Sequence, residues 1–284
     1  MQTFFNQATL TYNGGSTTSN IVQGELIEVL SAAKTATVTS YEPDETVTYA
    51  VSIVNSGTTP YTGITITDDL GGFEFNGTTV YPLDYVDGSV RLFVNGVLQT
   101  SPATTAGPPL VFTGINVPAG GDAVLVYSAT VNSYAPLGTD STINNTATLT
   151  GSGITTPVTA EETINASLEP VLTIAKTLNP TTVPENGQLT YTFIISNYGA
   201  SAADATDNLV ITDTFDPILN PITVSYNGTL WEEGTNYTYD AATGIFTTST
   251  GQITVPAATY TQDPVTGEWV VTPGTTTITV NGTV

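Results

Sequence analysis

The sequence predicts an all-β fold made of two tandem immunoglobulin-like β-sandwich domains. Helical periodicity is nearly absent, and short alternating runs such as residues 45–54 and 188–196 are typical of half-buried strands. Asn-Gly pairs at positions 95 and 227, each between alternating runs, predict tight hairpin turns. Many short strands with regular turn signals are the pattern of a sandwich.

The same pattern of strands is present twice in the chain. LSAAKTATVTSYEPDETVTYAVSIVNSG (30–57) matches LTIAKTLNPTTVPENGQLTYTFIISNYG (172–199). GITITDDL (63–70) likewise matches NLVITDTF (208–215). Self-similarity of this kind indicates two copies of one structural unit.

The two copies end differently. After Val131 the first copy continues to one more strand within residues 141–151, whereas the second copy stops at Val284, the position that matches Val131. A segment with the same layout stands at the front of the chain, since residues 5–34 follow the pattern of residues 144–176. We therefore predict that the second domain lacks its final strand and that the N-terminal segment carries a spare one.

A sandwich that lacks a strand exposes unpaired backbone groups beside an open apolar groove, and a free segment of suitable sequence can add to that edge. Residues 1–11 would have to span the whole first domain to reach the second, so the acceptor is predicted to be a neighbouring copy. Such a head-to-tail contact builds an open filament unless it closes a ring. The alternative is a disordered leader before a domain with fewer strands. The predicted divisions are residues 1–24 as N-terminal donor strand and linker, residues 25–152 as the first domain, and residues 153–284 as the incomplete second domain.

Two of the three basic residues occupy equivalent positions in the two copies. Lys34 shares its predicted strand face with Leu30, and Lys176 shares its face with Leu172. Because alternate side chains of a strand lie on one face, both lysines are predicted to point into their domains. A buried ammonium is costly, so each lysine needs a partner or must become neutral.

Candidate partners follow from the same alternation. Asp68 and Asp213 lie near the ends of equivalent strands, on the inward face, and Asn145 lies on the inward face of the last strand of the first domain. In the N-terminal segment the predicted inward face of the donor strand carries Phe4, Asn6, Ala8 and Leu10, with Asn6 in the place of Asn145.

A lysine, an aspartate and an asparagine buried together can form an isopeptide bond. Burial lowers the pKa of the lysine so that a neutral amine can attack, and a buried aspartic acid can hold a proton that polarises the asparagine amide. Loss of ammonia then leaves a Lys–Asn bond in a single turnover. The predicted bonds, each with an assisting aspartate, are Lys34 to Asn145 with Asp68, and Lys176 to Asn6 of the neighbouring subunit with Asp213. The alternative is a buried Lys–Asp ion pair beside an asparagine in an ordinary polar contact.

The composition argues against an enzyme with turnover and against several classes of partner. The chain has no histidine and no cysteine, which removes the commonest general base, the commonest metal ligand and any disulfide. With 25 acidic and 3 basic residues the net charge is −22, which repels nucleic acid and anionic membranes. No apolar run is long enough to span a bilayer. We predict no cofactor, metal, nucleic-acid or membrane partner.

Other interpretations stay open. Acidic side chains at Asp68 and Asp69, and at Asp204, Asp207 and Asp213, are possible calcium ligands, although their spacing matches no calcium-binding loop. Paired carboxylates are also compatible with glycoside hydrolysis. The aromatic residues that could form a sugar-binding face are Tyr226, Trp231, Tyr237 and Tyr239. Aromatic residues at strand spacing more often fill a core or a cross-strand pair.

The two copies resemble the bacterial surface repeat catalogued as domain of unknown function 11. The resemblance lies in LTIAKT, GQLTYTFIISNYG and NLVITDTF, together with LSAAKTATV, ETVTYAVSIVNSG and GITITDDL, and it covers nearly the whole chain. It implies immunoglobulin-like modules of cell-wall or surface proteins. The lysine, aspartate and asparagine also resemble the self-forming isopeptide sites of Gram-positive adhesin and pilin domains, in which Lys34, Asp68 and Asn145 would carry that role. In the second copy only Lys176 and Asp213 match, because the asparagine strand is absent.

Together these observations predict a structural subunit of an extracellular fibre on a bacterial cell or spore surface, with a further copy of the chain as its partner and an unknown tip or anchor protein. The main alternative is a monomeric adhesin stalk or carbohydrate-binding surface module.

Overall fold

The protein is all-β in a computed structural model that describes residues 2–151 and 153–284. Within those residues the one helical element is a short 3-10 turn, Ala205–Asp207. None of the described helical segments is long and apolar enough to cross a membrane. The predicted all-β class is confirmed.

The chain divides into two compact units. The first comprises residues up to 39, 44–132 and 144–164, and the second comprises residues 40–43, 133–143 and 165–284.

The N-terminal segment folds back on itself to form a ribbon of two consecutive pairs of strands. Its strands are β1 (Gln2–Asn6), β2 (Thr9–Tyr12), β3 (Gly15–Thr18) and β4 (Val22–Leu26). Strand β1 pairs with β4 so that Asn6 lies opposite Val22, and β2 pairs with β3 across a tight turn. Every residue of β2 and β3 is exposed. The segment predicted to be a donor strand is therefore one arm of an exposed hairpin.

The first sandwich is assembled from the strands that follow. In chain order these are β5 (Leu30–Ala36), β6 (Ser40–Tyr41), β7 (Thr46–Asn55), β8 (Tyr61–Asp68), β9 (Phe73–Phe75), β10 (Thr78–Val80), β11 (Leu83–Tyr85), β12 (Arg91–Val94), β13 (Val97–Leu98), β14 (Ala103–Thr105), β15 (Leu110–Val117), β16 (Asp122–Val131), β17 (Thr142–Thr150) and β18 (Val158–Ala166).

Two six-stranded sheets form this sandwich. One has the order β13-β12-β16-β7-β5, with β11 also paired to β16, and the other has the order β14-β15-β8-β17-β18-β6. Along β7 the side chains of Val47, Tyr49, Val51 and Ile53 are fully buried, because alternate residues of a strand face the same side. Each such apolar side chain stabilises the fold by about 1.5–3 kcal/mol.

The predicted domain boundary at residue 153 falls before β18. This strand extends the sheet that contains β8 and β17, and residues up to 164 belong to the first unit. The alternation along β18 shows why this strand packs with the first sandwich, since Ala160 and Ile164 are buried while Glu161 and Thr163 are exposed.

The second sandwich repeats this plan with fewer strands. In chain order they are β19 (Leu172–Asn179), β20 (Gln188–Asn197), β21 (Thr212–Thr214), β22 (Ile222–Tyr226), β23 (Thr229–Leu230), β24 (Tyr237–Asp240), β25 (Ile245–Thr248), β26 (Thr259–Gln262), β27 (Trp269–Thr272) and β28 (Gly274–Thr283). The sheet order β19-β20-β28-β22-β23 reproduces β5-β7-β16-β12-β13 of the first sandwich. The opposite sheet has only the order β21-β25-β24, and β26 and β27 form a separate hairpin.

Among the residues that the structure describes, the second sandwich shows no strand equivalent to β17. In the first sandwich β8 pairs with β15 on one side and with β17 on the other. The equivalent β21 pairs with β25, and among the described residues no strand pairs with its other edge. The backbone of Thr212–Thr214 therefore lies at an open edge of the sheet.

Candidate functional site

The first sandwich brings together the three residue types that the sequence singled out. Lys34 lies in the middle of β5 and points inward, Asp68 ends β8, and Asn145 lies on β17 beside it. All three residues are buried, and the Lys34 side chain is 0% exposed. The alternation along each strand sets these directions. Leu30 lies on the same face as Lys34, Ala147 lies two positions after Asn145, and both are core residues.

A fourth side chain, Tyr127 of β16, completes a hydrogen-bonded chain between them. Lys34 Nζ donates to Asp68 Oδ2 at 2.7 Å, and the Tyr127 hydroxyl donates to the same oxygen at 2.5 Å. Asn145 Nδ2 donates to the Tyr127 hydroxyl at 3.3 Å. The other oxygen of Asp68 accepts from the backbone N–H of Leu70 at 3.1 Å. Aspartate and asparagine are thus joined through a tyrosine.

The charges of this site are strongly affected by burial. Desolvation lowers the pKa of the Lys34 amine, and the negative charge of Asp68 opposes that change only in part. Burial raises the pKa of the Tyr127 hydroxyl well above its usual value, and the charge of Asp68 adds to the effect. Burial therefore shifts the Lys34 amine towards its neutral, nucleophilic form and disfavours loss of the Tyr127 proton.

Asn145 differs from an ordinary buried asparagine. Its Oδ1 is buried and has no hydrogen-bond partner among the described residues. By contrast, the buried Asn55 is satisfied at both ends: its Oδ1 accepts from the N–H of Gly57, and its Nδ2 donates to the carbonyls of Thr59 and Pro118. An orphaned buried amide oxygen is rare and calls for an explanation.

The second sandwich holds the equivalent lysine and aspartate, but they are open to solvent. Lys176 on β19 forms an ion pair with Asp213 on β21, and its Nζ lies 4.3 Å from the ring centre of Tyr191. The Lys176 side chain is 38% exposed, against 0% for Lys34. We predicted that both lysines point into their domains; Lys176 lies over inward-facing rings yet stays partly exposed, and among the described residues no strand corresponds to β17 of the first sandwich.

The remaining predicted site residue, Asn6, lies in the N-terminal ribbon, where β1 pairs with β4. Sequence reasoning missed Tyr127. The available signal was the alternation of residues 123–131, which puts Tyr127 on the same strand face as Leu125 and Ala129. In the structure Tyr127 lies directly opposite Tyr49, and the two rings stack with centroids 5.7 Å apart.

The other candidate residues pack against the core or cap a turn. Tyr237 is buried in the second core, and Tyr226 and Trp231 stack with ring centroids 5.0 Å apart while packing against that core. Asp204 and Asp207 cap the 3-10 turn. Within residues 2–151 and 153–284, no group of three or more acidic side chains is arranged to hold a metal ion.

Comparison with known proteins gives limited similarity. No family model matches the chain, and no curated protein matches it. Among solved structures, the major pilin subunit BcpA of Bacillus cereus is 10% identical, with 96% of this chain and 73% of that chain covered and a TM-score of 0.37. The pilus backbone RrgB from Streptococcus pneumoniae is 13% identical, with 86% and 55% covered and a TM-score of 0.35. The collagen-binding domain from a Staphylococcus aureus adhesin is 12% identical, with 47% and 96% covered and a TM-score of 0.30. With TM-scores below 0.5, these similarities assign no function to the chain.

Proposed function

We propose that this chain is the structural subunit of a bacterial extracellular fibre, which polymerises head-to-tail. The N-terminal strand of one subunit adds to the open edge of β21 in the second sandwich of the next. An isopeptide bond between Lys34 and Asn145 closes the first sandwich, and a bond between Lys176 and Asn6 of the neighbour joins the subunits. The protein thereby modifies itself once and does not turn over a substrate.

The observation that carries this proposal is the difference between the two sandwiches. In the first, β17 pairs with β8 and brings Asn145 to the buried Lys34–Asp68 pair. In the second, the same edge is open and the equivalent Lys176–Asp213 pair is partly uncovered. A strand added at this edge would cover the second pair as β17 covers the first.

The register of the added strand follows from the first sandwich. There Ala147 pairs with Asp68 and Leu149 pairs with Ile66. Because ATLT occurs at both places in the sequence, the same register sets Ala8 opposite Asp213 and Leu10 opposite Ile211. Asn6 lies two residues before Ala8, as Asn145 lies two residues before Ala147, so Asn6 takes the inward position of Asn145.

Exposed apolar side chains support the exchange on both sides of the contact. In the N-terminal ribbon Phe4 is 54% exposed and Leu10 is 64% exposed. On the acceptor, Ile174 of β19 is 58% exposed, two positions before Lys176 on the same strand face. Docking would bury these surfaces, and removing apolar area from water favours association.

Location outside the cell, on a bacterial cell or spore surface, is part of this proposal. It is supported by the composition, in which only 10% of residues are charged and the net charge is −22. Like charge keeps such fibre subunits soluble, while the docked strand supplies the specific contact between them.

Changing Leu10 to aspartate tests the docking step without touching either proposed bond. A buried carboxylate in place of leucine loses the apolar contact and adds a desolvation cost, so we expect assembly to need at least about 100-fold higher subunit concentration. Sedimentation velocity over a concentration series, followed by negative-stain electron microscopy, measures the effect.

The matched control is Thr11→Asp, which adds the same charge to the outward face of the docked strand. Its counterpart in the first sandwich, Thr150, is only half-buried. Equal assembly of Leu10→Asp and wild type would contradict the proposed register. A wild-type chain that stays monomeric at every concentration would contradict strand exchange itself and favour a monomeric stalk.

A further inference from the structure

We propose that Tyr127 is a catalytic residue of the first sandwich, which delivers the proton to the departing amide nitrogen of Asn145. The proposal rests on the Lys34–Asn145 bond described under the proposed function. It assigns to a tyrosine hydroxyl the contact with the leaving group that the sequence had suggested for Asp68.

The geometry gives the reason. Asp68 Oδ2 accepts hydrogen bonds from both Lys34 Nζ and the Tyr127 hydroxyl, so the carboxylate is next to the nucleophile. The Tyr127 hydroxyl oxygen in turn accepts a hydrogen bond from Asn145 Nδ2, so it is the group in contact with the leaving nitrogen. The path from the attacking nitrogen to the leaving nitrogen therefore runs from Lys34 Nζ to Asp68 Oδ2, then to the Tyr127 oxygen, then to Asn145 Nδ2.

The reaction balances along this path. The neutral Lys34 amine attacks Cγ of Asn145, and the new C–N bond forms as the amine gives up one proton to Asp68. Tyr127 passes its own proton to Nδ2 and takes the proton held by Asp68, so that both side chains end as they began. The Cγ–Nδ2 bond breaks, and Nδ2 leaves as ammonia with the proton from Tyr127, while the proton that Lys34 lost remains on Tyr127.

The surroundings of Tyr127 suit this task. Its ring is enclosed by Tyr49, Tyr85 and Phe112, with centroids 5.7, 6.5 and 5.4 Å away, which holds the hydroxyl in place between the two polar side chains. Burial raises the pKa of the hydroxyl, so it carries its proton throughout the neutral range. A general acid must hold a proton before it can give one away.

The second sandwich has no hydroxyl at the equivalent position. Tyr127 lies opposite Tyr49 in the pairing of β16 with β7. In the pairing of β28 with β20, the residue opposite Tyr191 is Val280, which is fully buried. The tyrosine step thus belongs to the internal bond of the first sandwich, and the bond between subunits proceeds without it.

The variant Tyr127→Phe removes only the hydroxyl. Intact-mass spectra taken at intervals after cell-free synthesis measure the fraction of chains that have lost one ammonia. General acid catalysis typically contributes about 10²–10⁴-fold, so we expect the internal bond to form at least about 100-fold more slowly than in wild type. The control is Tyr85→Phe, which removes a hydroxyl from a ring beside Tyr127 but outside the proton path, and which is expected to react at the wild-type rate.

A second measurement separates proton transfer from packing. Fluorotyrosine incorporated at position 127 keeps the shape of the ring and its hydrogen bonds but makes the hydroxyl a stronger acid. Proton delivery by Tyr127 predicts a faster reaction, whereas a packing role predicts an unchanged rate.

The outcomes are distinct from those that test the proposed function. If wild type loses ammonia and Tyr127→Phe loses it equally fast, the role of Tyr127 is overturned and the bond stands. An unchanged rate with fluorotyrosine overturns it as well. If wild type keeps the full mass of its sequence, the internal bond fails, and the role of Tyr127 fails with it.

Discussion

Replacing Asn145 with alanine is expected to restore the mass of the full sequence and to lower the thermal stability of the first sandwich sharply. Wild type is expected to be lighter by one ammonia. A covalent link between β5 and β17 closes a loop of on the order of 100 residues, which by the chain-entropy argument for cross-links stabilises the fold by about 4.7 kcal/mol. Its loss is expected to lower the melting temperature by on the order of 15 °C. Intact-mass spectrometry and calorimetry measure the two effects.

The adjacent Asn144 provides the matched control for this change. Asn144 is exposed, and its side chain accepts a hydrogen bond from Thr163 at the protein surface. Asn144→Ala is therefore expected to lose ammonia as wild type does and to melt within a few degrees of it. Ammonia loss that persists in Asn145→Ala would contradict the assignment of this residue as the bonded asparagine.

The second large effect is expected from Asn6→Ala, which removes the proposed bond between subunits but keeps the donor strand. Wild type is expected to give a ladder of multimers on a denaturing gel after boiling. The variant is expected to run as a single monomer band, although it still assembles in native buffer, because Phe4, Ala8 and Leu10 keep the strand contact. The gel and a native sedimentation measurement on the same samples show both properties.

Asn20→Ala is the control for this experiment, since Asn20 lies in the same exposed segment but outside the donor face. It is expected to give the wild-type ladder. A ladder that survives in Asn6→Ala would contradict the role of Asn6, and a ladder lost equally in Asn20→Ala would indicate a general effect on the segment.

Much of the architecture could be predicted from local patterns. Alternation along residues 45–54 and 188–196 predicted strands that bury one face, and the repeat comparison placed Asp68 and Asp213 at equivalent positions of the two copies. These features depend on nearest neighbours or on repetition, both of which are visible in a sequence.

Other features depend on pairing between distant strands and could not be read in the same way. The position of Tyr127 between Asp68 and Asn145 requires the packing of β16 against the sheet that contains β8, which no local pattern defines. The partial exposure of Lys176 depends on which strands cover it, and not on the residues next to it along the chain. Strand β4 runs antiparallel to β1, with Asn6 paired to Val22, so the N-terminal segment forms a hairpin.

The most direct test of the fibre proposal mixes two variants that are each defective in one half of the bond. Asn6→Ala can only accept a bond at Lys176, and Lys176→Arg can only donate Asn6, since a guanidinium keeps the charge beside Asp213 but is not a nucleophile. Alone, each is expected to give monomer on a boiled denaturing gel. Mixed, they are expected to give a covalent dimer and nothing longer, with mass spectrometry locating the bond between Lys176 of one subunit and Asn6 of the other. A mixture that yields no dimer, or a ladder formed by either variant alone, would contradict the proposed head-to-tail cross-link.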